Sequence, residues 1–133
     1  GNGPMDKLTV YAVPLGRLFL AVLFIMAGIS KAGNPEGTIG YISSAGLPLP
    51  ELGYAIALAA EIGGGLLILV GYQTRLVAFG MALFTIATAV FFHNNFADQT
   101  QMISFMKNFA IAGGFLVLAA HGAGALSIDN RKR

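Results

Sequence analysis

The stretch Leu52–Tyr72, LGYAIALAAEIGGGLLILVGY, decides how this chain folds. As a helix rising about 1.5 Å per residue it is long enough to cross the roughly 30 Å hydrocarbon core of a bilayer, and its single charge is Glu61. Three further stretches meet the same test. One runs from about Leu8 to Ser30 and carries Pro14 and Arg17; one runs from about Leu76 to Phe92 without a charge. The last runs from about Phe105 to Leu126, with Lys107 in its first turn and His121 in its last third. Four such spans predict an all-α membrane protein, a four-transmembrane-helix bundle forming one domain over residues 5–133.

Composition agrees with that reading. The 133 residues are 56% hydrophobic and 11% charged, with a mean hydropathy of +0.72, whereas an average soluble protein is about 25% charged. Most of the surface must therefore face lipid, and a disordered chain is excluded because low hydrophobicity is what keeps a chain unfolded. Cysteine is absent, which removes disulfides, thiolate metal sites and any thiol relay carried by the chain itself. The net charge of +2 gathers at the Arg131, Lys132, Arg133 tail, which reads as a topology signal and not as the footprint of a nucleic-acid binder. Residues 1–4, Gly-Asn-Gly-Pro before Met5, resemble the remnant of a cleaved tag. The first span is too long for a signal peptide and runs through Lys31 into a Gly/Pro loop.

The connections are unequal. Gln73-Thr74-Arg75 is a tight turn that makes spans 2 and 3 antiparallel neighbours. Residues 32–51 are rich in Gly and Pro but hold Ile39, Tyr41 and Ile42, which predicts a loop with a short interfacial helical turn. Residues 93–104 are polar. With both termini in the cytoplasm, Lys7, Arg75, Arg131, Lys132 and Arg133 lie inside against Lys31 and Lys107 outside, the arrangement the positive-inside rule favours. Together the features predict a multi-pass membrane protein.

Charges inside spans cost roughly 2.5 to 3.5 kcal/mol each on insertion scales, so they face the bundle interior and pair. Counting from the span ends puts Arg17 about 13 Å and Glu61 about 16 Å from the same side, which predicts an Arg17–Glu61 ion pair across spans 1 and 2. Such a pair serves either register alone or a proton or ligand site. A second polar cluster is expected at the outer boundary, from Lys31, His93, Lys107 and Asn108. One reading is snorkelling and helix capping; the other is a pocket at headgroup depth for an anion or a carbonyl-bearing, lipid-soluble molecule such as a quinone. His121, isolated near the inner boundary, reads as a packed, hydrogen-bonded histidine. Two histidines without a carboxylate or thiolate cluster argue against a metal or haem site.

Several motifs together resemble one family. They are Gly16-Arg17-Leu-Phe-Leu with Ala-Gly28-Ile-Ser-Lys31, Ala-Glu61-Ile-Gly-Gly-Gly-Leu, Phe-His93-Asn-Asn-Phe-Ala-Asp98, Phe-Met-Lys107-Asn108, and Gly-Ala-Leu-Ser127-Ile-Asp129. They are similar to the DoxX family and, within it, to YphA-like bacterial inner-membrane proteins. The resemblance implies a four-helix bundle associated with membrane redox systems, as an accessory subunit of a quinone-linked oxidoreductase, or alternatively a non-enzymatic assembly or trafficking factor that binds partner proteins. The missing cysteines depart from relatives that act through thiols. The leading expectation is thus a quinone- or lipid-interacting accessory subunit without a covalently bound cofactor, not catalytic alone, and with no residue assigned a catalytic role. Its partners would be the bilayer, a redox complex or other membrane protein, or further copies of itself. A proton or small-solute pathway is the third reading, opposed by the hydrophobic residues between Glu61 and His121.

Overall fold

The computed structural model describes residues 4–131; Lys132, Arg133 and the first three residues of the tag-like segment lie outside the described part, and Pro4 opens the first helix. The elements are α1 (Pro4–Ala32), α2 (Pro35–Ser44), α3 (Pro50–Leu58), a π-helical turn (Ala59–Gly64), α4 (Gly65–Val70), α5 (Thr74–Phe92), α6 (Gln99–His121) and α7 (Ile128–Arg131). Segment α3–π–α4 runs on as one rod, so four helices are long and apolar enough to cross a membrane: Asp6–Ala32, Pro50–Val70, Thr74–Phe92 and Gln99–His121.

All four spans differ in extent from the sequence reading, the fourth most. The fourth helix starts at Gln99, not near Phe105, because the Asp98 side chain accepts from the Thr100 amide at 2.9 Å and caps it. Lys107 thereby moves out of the first turn, and His121 becomes the last helical residue before Gly122 at φ 85°. The turn after the second span also shifts. Gly71 sits at φ 72°, with the Tyr72 amide donating to Leu67 O at 3.0 Å and the Gly71 amide to Ile68 O at 3.2 Å, a Schellman closure that lets α5 begin at Thr74. Between the first two spans, α2 starts at Pro35 with the Asn34 side chain accepting from the Gly37 amide, and buries Ile42 against α3 at Gly53.

Small residues bring the rods together, as they must where lipid tails offer no hydrophobic drive between helices. A Cβ on Gly65 would stand 2.8 Å from Ile25 Cγ1 and 3.4 Å from Ala21 O, and one on Gly28 would meet Ile62 and Glu61, so α1 packs directly on the second span. On α5 the buried residues include Ala78, Ala82 and Ala89, and α6 contributes buried Ala112 and Phe115. Phe24 of α1 and Phe115 of α6 tilt against each other at 5.5 Å in the shared core. Large apolar residues such as Phe19, Leu76 and Met106 are more than half exposed, as expected of faces turned to lipid.

The chain's last described residues close the end of the bundle that also carries the N-terminus. The Asp129 carboxylate accepts from the Gln73 and Thr74 amides at 2.7 and 2.9 Å, capping α5 from far along the chain, while the Asp129 amide donates to Gly71 O at 2.8 Å. Gly71 is the hinge point of this closure. A Cβ there would lie 2.5 Å from Arg17 Nη1 and 2.5 Å from Ser127 Cβ, at a φ that L side chains rarely adopt. Gly71→Ala is therefore expected to lower stability by about 2 to 3 kcal/mol, read as a lowered unfolding midpoint in detergent; an unchanged midpoint would show that the closure carries no weight.

Candidate functional site

Glu61 sits on the π-helical turn of the second span and is 4% exposed. Such wide turns inside helices are common at functional sites. Its partner is Lys31, at the end of α1, with Nζ 2.8 Å from Oε1. Tyr54, one and a half turns before the π turn, donates its hydroxyl to the Lys31 carbonyl at 3.0 Å and ties the helix end down.

The expected Arg17–Glu61 pair is thus corrected. Arg17 donates to Ile68 O at 3.3 Å, to Leu69 O at 3.1 Å and to Leu126 O, so it belongs at the end of the second span near the chain termini. Glu61 lies seven residues before Ile68, about 10 Å further along the rod. Counting depth from the apolar boundaries failed because α1 continues to Pro4 and the Gly65–Ala21 and Gly28–Glu61 packing, not the boundary positions, sets the register.

A cavity of about 540 Å³ opens beside the ion pair, at the end of the bundle away from the termini. Lys31, Glu61, His93 and Asn108 all line it, so three of the four residues expected at the outer boundary converge there and Glu61 joins them. Lys107 does not: one residue before Asn108, it is rotated about 100° around α6 and is exposed. His121 is exposed at the opposite end and is not the packed histidine expected.

The polar groups are held in fixed roles. Asn108 Nδ2 donates to Thr85 O at 3.2 Å and to Thr88 Oγ1 at 3.0 Å; a backbone carbonyl only accepts, so the amide nitrogen is fixed on α5. Thr85 and Thr88 bond back to the carbonyls of Met81 and Thr85 at 2.7 and 2.9 Å, satisfying hydroxyls that would otherwise be costly in a membrane core. His93 follows the last turn of α5, its amide donating to Ala89 O at 3.0 Å. Apart from Thr38, the rest of the wall is apolar and aromatic, including Phe24, Phe84 and Phe92, and α2 covers one side by stacking Tyr41 on Phe92 at 5.4 Å. Leu23, Ile56 and Phe91 line the cavity while remaining about half exposed on the outer apolar face. An apolar, ring-sized space with an ammonium, a carboxylate, an imidazole and a carboxamide on its wall suits a lipid-soluble molecule with polar oxygens.

Sequence reasoning gave no site role to Tyr41, Tyr54, Thr85 or Thr88. The i, i+3 spacing of Thr85 and Thr88 was a visible signal, since it places two hydroxyls on one helix face.

The chain is similar to known membrane proteins. The chain matches the DoxX family over residues 12–94. It is 46% identical to the inner membrane protein YqjF of Escherichia coli over 125 residues, covering 94% of this chain and 95% of that one. It is 38% identical to the inner membrane protein YphA of the same organism, covering 88% and 87%. It is 36% identical to the Bacillus subtilis protein named "Putative oxidoreductase CatD" over 86 residues, 65% of this chain and 63% of that one. No solved structure matches it. Four apolar spans, the motifs they carry and inner-membrane relatives aligned over nearly the whole chain identify it as a multi-pass inner-membrane protein that belongs to the DoxX family.

Proposed function

We propose that this protein is an accessory subunit of a membrane redox system that holds a quinone, or a lipid of similar polarity, in the cavity beside the Lys31–Glu61 pair. The observation that carries the reading is the convergence of Lys31, Glu61, His93 and Asn108 on one aromatic-walled space. A quinone carbonyl accepts hydrogen bonds, which Lys31 and a protonated or neutral His93 can donate; a quinol hydroxyl donates, which Glu61 can accept. In this reading the chain binds and positions the molecule beside a partner that moves electrons. The name of the Bacillus relative supports the redox association. The positive-inside rule supports an orientation with both termini in the cytoplasm, Arg75 and Arg131 on that side, and in that orientation the cavity would open near the outer leaflet.

Titration of the detergent-solubilised protein with a short-chain ubiquinone tests this directly. Saturable binding is expected, weakened about tenfold by His93→Ala and by Asn108→Leu, the loss of about one charge-assisted hydrogen bond or its supporting group. Lys107→Ala serves as the control and is expected to bind like the unaltered protein. Absence of saturable binding, or equal affinity in all four proteins, would remove the quinone site.

A further inference from the structure

At the opposite end of the bundle, an open cavity of about 520 Å³ lies between the start of α5 and the segment after α6, lined by Thr74, Arg75, Leu76, His121, Gly122 and Asp129 among others. We propose that it binds the phosphate group of an anionic membrane lipid, with the Arg75 guanidinium as the main contact. This site is independent of the quinone reading.

Four observations point to that chemistry. Arg75 is exposed and spends one contact, Nη2 to His121 O at 3.4 Å, which leaves most of its five N–H donors for a phosphate, a group its planar fork matches. Thr74 is 1% exposed, lines the same cavity, and its Oγ1 has no hydrogen-bond partner among the described residues. A buried hydroxyl left that way is costly, and a phosphate oxygen entering beside it would accept from it. The backbone leaves room for the guanidinium, since a Cβ on Gly122 would stand 3.1 Å from Arg75 Nε. The depth also fits: Thr74 and His121 are the terminal residues of two spans, which is headgroup level, and Leu76, 71% exposed beside the cavity, offers apolar surface to an acyl chain.

Asp129 is the one negative group on the wall. Its two carboxylate oxygens already accept from the Gln73 and Thr74 amides, so it occupies the N-terminus of α5 and directs an incoming anion to the Arg75 side.

The test uses the full chain in neutral detergent, titrated with dioleoylphosphatidylglycerol, with dioleoylglycerol, which has the same chains but no phosphate, and with inorganic phosphate; bound ligand is counted by native mass spectrometry. The phospholipid is expected to bind at least tenfold more tightly than dioleoylglycerol. Arg75→Gln, an exposed position that leaves the core untouched, is expected to lower phospholipid affinity about tenfold, and Thr74→Val to lower it severalfold. Inorganic phosphate binding as tightly as the phospholipid, and lost in Arg75→Gln, would support the same phosphate site with a soluble source. Equal binding of dioleoylglycerol and phospholipid, or full phospholipid affinity in a folded Arg75→Gln protein, would overturn the proposal.

Discussion

Arg17→Met is expected to lower the unfolding free energy of the solubilised protein by about 3 to 5 kcal/mol, the largest effect of any single substitution considered. Arg17 is 2% exposed, and its guanidinium serves carbonyls from two separate segments: Ile68 and Leu69 at the end of α4, and Leu126 in the closing segment. The last carbonyls of a helix lack intrahelical donors and carry the negative end of its dipole, so a cation placed there compensates both deficits. The Asp129 carboxylate supplies an attractive charge from the same closing segment. A methionine fills similar volume but takes this donor from the Leu69 and Leu126 carbonyls in a medium without water, while Ile68 O keeps the Gly71 amide. Arg17→Lys is expected to recover only part of the loss, because one ammonium cannot span both segments as a planar fork does. Guanidinium-free unfolding curves in mixed micelles measure the difference; a loss under about 1 kcal/mol in Arg17→Met would show that the carbonyls find other donors.

Lys31→Met is expected to cost about 2 to 3 kcal/mol, less than a fully buried pair, because Lys31 is 35% exposed on its side chain while Glu61 is 5% exposed. Removing the ammonium strands the carboxylate on the π turn with an apolar wall around it. The double variant Lys31→Met, Glu61→Gln is expected to be more stable than Lys31→Met alone, since the uncompensated charge is gone. The double-mutant cycle separates this coupling from packing, and two single losses that simply add would show that the pair carries no energy. If the cavity holds a quinone, Glu61→Gln also weakens its binding.

Span number and identity were legible in the chain because hydropathy is a local property: each run of about 20 apolar residues must satisfy its backbone internally as a helix, whatever its neighbours do. The boundary at Asp98 was hidden for a related reason. Gln99-Thr100-Gln101 looks like a polar loop by hydropathy, yet the cap that starts α6 there is a side-chain contact hydropathy does not weigh. Lys31, His93 and Asn108 could be placed together because each stands at the edge of an apolar run, although Asn108 lies nine residues into α6. Lys107 could not be separated from Asn108 without knowing which face of α6 turns inward.

The pairing of charges lay beyond the sequence. Arg17 and Glu61 stand about equally deep when counted from apolar boundaries, but helices slide along one another until their small residues interlock, and that adjustment moved Glu61 to Lys31. Asp129 likewise meets the α5 amides only because the chain folds back across Gly71. By itself, then, the sequence determined a membrane bundle of four helices with charges in its interior and a polar cluster at one boundary, since solvent partition acts residue by residue. Which polar groups meet, and the cavity they enclose, was decided by tertiary packing, because interhelical register depends on contacts between residues far apart in the chain.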